Sequence, residues 1–300
     1  MAFYIADQGK AKKMTHRYNV AGITFAVALP EGVSAEVLPS FAPFVAADAA
    51  EDAFFFDASA SFELPGDASC ILMDSNDMGV SRVFDSPSWE GFFVELTFAG
   101  TSHLMRVDAG FRRGEGCLKW DDPYAGLVLG SMLRITFAQV ALSYGAISLH
   151  ASCVVNEGRA YLFMGTSGTG KSTHSRLWMK AFPGTMLLND DNPAIRVEGD
   201  VVNAYGTPWS GKTHCYKNLK FPVGGIVRLS QAPANVFVRK KDVEGFLEVY
   251  QGSSVLRTDG ALHDQLCDAL MQVIEMVPVG HLECLPDEDA ARVCRDGLIV

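Results

Sequence analysis

The residues best suited to chemistry lie between Tyr161 and Phe182. An apolar run, Tyr161-Leu162-Phe163-Met164, meets Gly165-Thr166-Ser167-Gly168-Thr169-Gly170-Lys171-Ser172-Thr173, and a segment with Leu177, Trp178 and Phe182 at helical spacing follows. Glycines at the first, fourth and sixth positions of this loop let successive backbone N–H groups turn toward one anion, which bulkier residues would obstruct. Lys171 then supplies a cation for outer phosphates, and Ser172 a hydroxyl for the magnesium ion that accompanies a nucleoside triphosphate. Strand, loop and helix in this order make a phosphate-binding loop, with the dipole of the following helix directed at the anion.

A phosphate loop needs a carboxylate to organise its metal, and Leu187-Leu188-Asn189-Asp190-Asp191 places two acids at the end of the next apolar strand. Neighbours on an extended chain point to opposite sides, so one aspartate can face Mg²⁺ while the other approaches an accepting hydroxyl as base. Which aspartate takes which role stays open at this stage. A second stretch, Gly206-Thr-Pro-Trp-Ser-Gly-Lys-Thr213, satisfies the same loop expression. Pro208 lacks an N–H, Trp209 is bulky where the backbone must come close, and no convincing helix follows. The expected role of Gly206, Gly211 and Lys212 is therefore an active-site wall over the substrate, the alternative being a surface turn. His150, at a strand end before the loop, is the remaining candidate, catalytic or structural.

The combination of His150, the loop from Gly165 to Thr173 with Lys171 and Ser172, and the Asp190-Asp191 pair on the very next strand resembles the HPr kinase/phosphorylase family. It resembles ATP-dependent phosphoenolpyruvate carboxykinases more distantly. The resemblance covers roughly residues 145 to 230. It implies a phosphate-loop domain with a mixed sheet, ATP and Mg²⁺ as cofactors, and the histidine and acids placed around the transferred phosphoryl group. Where HPr kinases carry Glu-x-Arg-Gly-Leu-Gly, this chain has Asn203-Ala-Tyr-Gly-Thr-Pro-Trp-Ser-Gly-Lys212, so HPr itself is not the expected acceptor. The implied activity is transfer of the γ-phosphoryl group to a hydroxyl of a peptide, a protein or a small molecule. Loop amides and Lys171 would hold phosphates, Ser172 and one aspartate the metal, with His150 and Lys212 as helpers. A nucleotide-binding regulatory or interaction protein without transfer activity is the first alternative. A carboxykinase-like lyase is the second, but the carboxylate-binding arginine cluster that it needs is not evident.

These groups require an α/β (α+β) framework. Short runs before residue 122, among them Val20 to Leu29, Ala53 to Asp57, Phe92 to Phe98 and Ser102 to Asp108, read as strands separated by breakers such as Pro30, Pro65 and Gly100. They predict a β-rich N-terminal domain, 1–122, suited to acceptor recognition. A long apolar helix begins after Asp121-Asp122-Pro123 and opens the phosphate-loop domain, 123–300. That domain's strands are expected at 146–149, 152–156, 160–164, 186–188, 194–197, 225–229 and 281–285. Its later helices are expected at 242–250, 259–276 and 287–296.

With 48% apolar and 20% charged residues over 300 positions, the chain has the composition of a globular protein. A net charge of −10 argues against nucleic acid or an anionic membrane as partner, since both need clustered Lys and Arg. Seven cysteines without a Cys-x-x-Cys pair indicate neither a disulfide framework nor a zinc knuckle, and point to reduced thiols in a cytoplasm. The longest apolar stretch, Tyr124 to Ile147, carries Arg134 and Gln139 near its middle, which predicts a buried helix and not a membrane span.

Overall fold

The structure, a computed structural model, describes residues 13–46, 51–76, 79–211, 213–256 and 259–299. In chain order the first strands are β1 (Met14–Val20), β2 (Ile23–Leu29), β3 (Phe55–Asp57), β4 (Ser69–Asn76), β5 (Gly79–Ser86), β6 (Trp89–Phe98), β7 (Thr101–Asp108) and β8 (Arg113–Cys117). Helix α1 (Ala125–Val140) is followed by β9 (Ala146–Ser148), β10 (Ala151–Asn156), β11 (Arg159–Met164), α2 (Lys171–Ala181), β12 (Met186–Asn189), β13 (Ala194–Glu198) and β14 (Val201–Tyr205). The chain continues through β15 (Lys220–Gln231), β16 (Val236–Lys240), α3 (Asp242–Tyr250), α4 (Gly260–Met276), β17 (Val279–Cys284) and α5 (Glu288–Ile299).

These elements build two mixed sheets and two compact units. One unit comprises residues 1–18, 24–39 and 46–133; the other comprises 19–23, 40–45 and 134–300, so the division falls inside α1. The first sheet runs β1-β2-β3-β8-β7-β6-β5-β4, antiparallel from β8 to β4 but parallel where β3 joins β2 and β8. Strand β7 shows why: His103, Met105 and Val107 are buried while their neighbours are not, the period of two of a strand with one core face. The run expected as one strand from Val20 to Leu29 is broken at Ala21-Gly22, whose φ angles of 54° and 76° make a tight turn between β1 and β2.

The second sheet has the order β12-β10-β11-β15-β14-β13-β9, with β17 pairing β15 and β16. Strand β15 is its spine, because successive parts of one strand pair with β14, β11 and β17. The sequence reading saw only its centre, since Lys220, Pro222 and Gln231 obscure the ends. It also missed β14 and β16, where polar residues interrupt short runs. On one face Val154, Tyr161, Phe163, Val227, Leu229 and Leu282 pack with Trp178 of α2 and with Ala291, Cys294 and Leu298 of α5. Alternation puts Arg228 and Ser230 on the opposite face, where Arg228 reaches the carbonyl of Glu248 on α3. Among the described residues one helical stretch, Ala125–Tyr144, is long and apolar enough to cross a membrane, and 67% of its apolar 18-residue window is buried inside the protein.

Candidate functional site

The geometry of the site follows from the pairing of β10. This strand runs antiparallel to both β11 and β12, with Ala151 opposite Met164 and Cys153 opposite Asn189. Its N-terminal end therefore lies between the C-terminal ends of its two neighbours. One neighbour leads into the glycine loop and the other into the acid pair, while His150 stands at the head of β10 itself. The amide of Ala151 donates to the Asp191 carbonyl at 3.0 Å, which ties the head of β10 to the acid pair, and that of His150 donates to the carbonyl of Gly252, just after α3, at 2.8 Å.

Gly168 and Gly170 adopt φ angles of 80° and 108°, the left-handed region that favours glycine, and a Cβ on either would meet only open space. Thr169 closes the turn by donating through its hydroxyl to the Thr166 carbonyl at 2.8 Å. Thr166, Ser167 and Gly168 are exposed, while Gly165, Thr169 and Gly170 are half-buried. Lys171, Ser172 and Thr173 form the first turn of α2, and the Lys171 ammonium donates to the carbonyls of Gly165 at 3.0 Å and Thr166 at 3.3 Å. Burial lowers the Lys171 pKa from its usual value, opposed by Asp191 and Asp190.

The two aspartates occupy different surroundings. Asp190 is buried, 6% exposed, and accepts a hydrogen bond from Ser152 at 2.9 Å. The Asp191 side chain is 37% exposed, takes a hydrogen bond from Asn192, and lies 3.4 Å from His150 Nε2. Burial, then the charge of Lys171, pushes the His150 pKa below its usual value; Asp191 opposes the shift and Arg134 adds to it. Hence Lys171, His150, Asp190 and Asp191 share one electrostatic neighbourhood.

Of the second loop, Lys212 lies outside the described residues. Its neighbour Gly211 stands against the acids: a Cβ there would lie 3.3 Å from the Asp190 carbonyl oxygen and 3.4 Å from the Asp191 Cβ. No helix follows before β15 among the described residues. Trp209 is buried, with its ring centroid 5.0 Å from that of Phe137 and 5.7 Å from that of Phe41. Asn189, which the sequence reading passed over, joins the two segments. Its Oδ1 accepts from the amides of Asp191 and Asn192, both at 2.9 Å, and its Nδ2 donates to Thr207 Oγ1 and the Trp209 carbonyl, both at 3.1 Å. The Asn-Asp-Asp-Asn run was the available signal, because asparagine amides favour such turns. Arg134, the lone arginine inside the apolar α1, was also passed over: it donates to Asn192 Oδ1 at 3.5 Å, and its charge adds to the lowering of the His150 pKa.

These residues fit a magnesium nucleotide better than a resident metal. Among the described residues no group of three or more His, Cys, Asp or Glu could hold a metal ion. Mg²⁺ typically needs only one or two carboxylates, since waters and phosphate oxygens complete its shell. Ser172, Asp190 and Asp191 are donors of that kind.

The chain matches no protein-family model and no curated protein. Among solved structures it is similar to the HPr(Ser) kinase/phosphatase from Coxiella burnetii, at 12% sequence identity and a TM-score of 0.30, over 51% of this chain and 93% of that one. At that level of likeness, it is the residues of the site itself that bear on function.

Proposed function

We propose that the protein is an ATP-dependent, Mg²⁺-requiring phosphotransferase acting on a hydroxyl acceptor, either a serine of a peptide or protein or a small alcohol. The observation that carries this reading is the meeting at the head of β10 of an open glycine loop with Lys171, a buried carboxylate and an exposed carboxylate beside a histidine. Loop amides and Lys171 hold the β- and γ-phosphates. Ser172 and Asp190 would hold the metal, which would supply positive charge to neutralise the phosphates. Asp191, with His150 beside it, takes the acceptor's proton as the new oxygen–phosphorus bond forms and the bond to the β-phosphate oxygen breaks, leaving ADP. Gly211 belongs to the wall next to the acids.

The test is transfer of label from γ-labelled ATP to serine peptides and small alcohols, alongside calorimetric titration of Mg-ATP. Lys171→Ala should lose about 1.5 to 3 kcal/mol of binding, or roughly tenfold to more than a hundredfold in affinity. Failure of the wild-type protein to bind Mg-ATP, or unchanged binding in that variant, would sink the reading. Tight binding with no labelled acceptor and no released phosphate would identify a nucleotide-binding regulatory protein instead.

A further inference from the structure

A chain of buried hydroxyls ties the phosphate-loop helix to one of the two acids. Ser175 lies one turn beyond Lys171 on α2, and Ser152 is the second residue of β10. Their Oγ atoms are 2.6 Å apart, and Ser152 Oγ donates to Asp190 Oδ1 at 2.9 Å. Exposure is 1% for Ser175, 0% for Ser152 and 6% for Asp190, so water cannot substitute for any link.

A hydroxyl has one proton to give. Ser152 gives its proton to the Asp190 carboxylate, so toward Ser175 it can only accept, and the chain has a single direction from Ser175 through Ser152 to Asp190. Small apolar residues would fill these positions without the desolvation cost of two hydroxyls, and buried polar groups of this kind are tolerated only when fully paired. The chain holds Oδ1 and leaves Oδ2 as the oxygen to offer a cation. Among the described residues no buried hydroxyl tethers Asp191. It is more exposed, it sits beside His150, and its carboxylate is held by its own neighbour Asn192.

We propose that Ser152 and Ser175 are positioning residues that lock Asp190 to the first turns of α2, making Asp190 the metal-side acid and Asp191 the acceptor-side acid. This rests on the magnesium-nucleotide reading given above. Because Ser175 and Lys171 share one helix, the lock registers the metal-side carboxylate with the lysine that holds the phosphates. A carboxylate in this position must not swing, since Mg²⁺ accepts little departure from octahedral geometry.

The experiment is titration of ATP binding with and without Mg²⁺, and of Mg²⁺ at fixed ATP, for the wild-type chain and for Ser152→Ala, Ser152→Thr, Ser175→Ala, Asp190→Asn and Asp191→Asn. Ser152→Ala should raise the Mg²⁺ concentration for half-maximal binding about tenfold, the worth of one hydrogen bond to a charged group, with Mg²⁺-free ATP affinity unchanged. Ser175→Ala, one bond further away, should shift in the same direction by less, and it carries the test should Ser152→Ala fail to fold. Ser152→Thr keeps the hydroxyl and should restore the wild-type requirement. Asp190→Asn should show the Mg²⁺ shift, and Asp191→Asn should slow transfer instead. An unshifted Mg²⁺ requirement in both serine variants, or a shift in Asp191→Asn without one in Asp190→Asn, overturns the assignment while the nucleotide reading stands. Wild-type protein that binds ATP no better with Mg²⁺ than without overturns both.

Discussion

His150 shows how surroundings decide what a single residue can do. An imidazole beside a carboxylate alone would hold its proton more tightly than usual. Here burial and the nearby Lys171 and Arg134 outweigh Asp191, and the pKa falls below the ordinary 6.5. At neutral pH the ring is therefore uncharged and the pair it forms with Asp191 is able to take a proton. The acid limb of kcat/KM for phosphoryl transfer should lie below pH 6.5, because protonating His150 removes that capacity. His150→Gln should slow transfer roughly a hundredfold, at the low end of general acid–base contributions, and should abolish or move that limb. A limb above pH 6.5 that persists in the variant would place the proton elsewhere.

At the scale of the element, aromatic packing anchors the buried face of α2, while the partly exposed Lys180–Glu288 ion pair links it to α5 at its edge. Trp178 is fully buried, with ring centroids 4.6 Å from Tyr161, 5.3 Å from Phe163 and 5.0 Å from Phe182. Its indole N–H donates to His174 Nε2 at 3.1 Å, which leaves the imidazole proton on Nδ1, buried and without a partner. Burial depresses the His174 pKa to about 4. Above pH 6.5 the ring is neutral in both folded and unfolded chains. As pH falls below 6.5 the unfolded chain gains a proton that the native core refuses, so stability drops toward pH 4 by about 3 kcal/mol. His174→Gln, which keeps an acceptor for the indole, should flatten this slope. Urea midpoints of both proteins at pH 7 and pH 4.5 would check it, and equal slopes would mean that His174 is not the group responsible.

At the scale of the whole molecule, the unit that contains the candidate site also includes residues 19–23 and 40–45. The edge of Phe41 packs on Trp209, and Arg196 donates to the Ala21 carbonyl at 3.0 Å. The expected boundary near residue 122 stays a proposal; the cut between the compact units lies inside α1, and the second unit keeps these two early segments. A fragment spanning 123–300 should be measurably less stable in urea than the same unit in the full chain. Phe41→Ala in the full chain should reproduce much of that loss, about 3 kcal/mol for a large aromatic side chain taken from a sealed site. A fragment as stable as the parent unit would show that the early segments contribute nothing.

The candidate loop and the acid pair could be picked out in the sequence because their signals are local: glycine spacing, Lys171 and Ser172 at the loop's end, and two adjacent aspartates closing an apolar strand. The helices after residue 240 were legible too, since the 3.6-residue period needs no partner to be seen. Strands such as β8 and β16, and the full length of β15, were hidden because a strand is completed by neighbours that are remote in sequence. The two aspartates could not be told apart from the letters Asp-Asp. That distinction arises from the antiparallel pairing of β10 with both neighbours, which brings Ser152 to one carboxylate and His150 to the other. The sequence by itself determined which groups are candidates for phosphate chemistry, and only the tertiary structure decided which acid is locked in the core and which stands more open beside the histidine, because burial and hydrogen-bond partners come from strands that the chain order keeps apart.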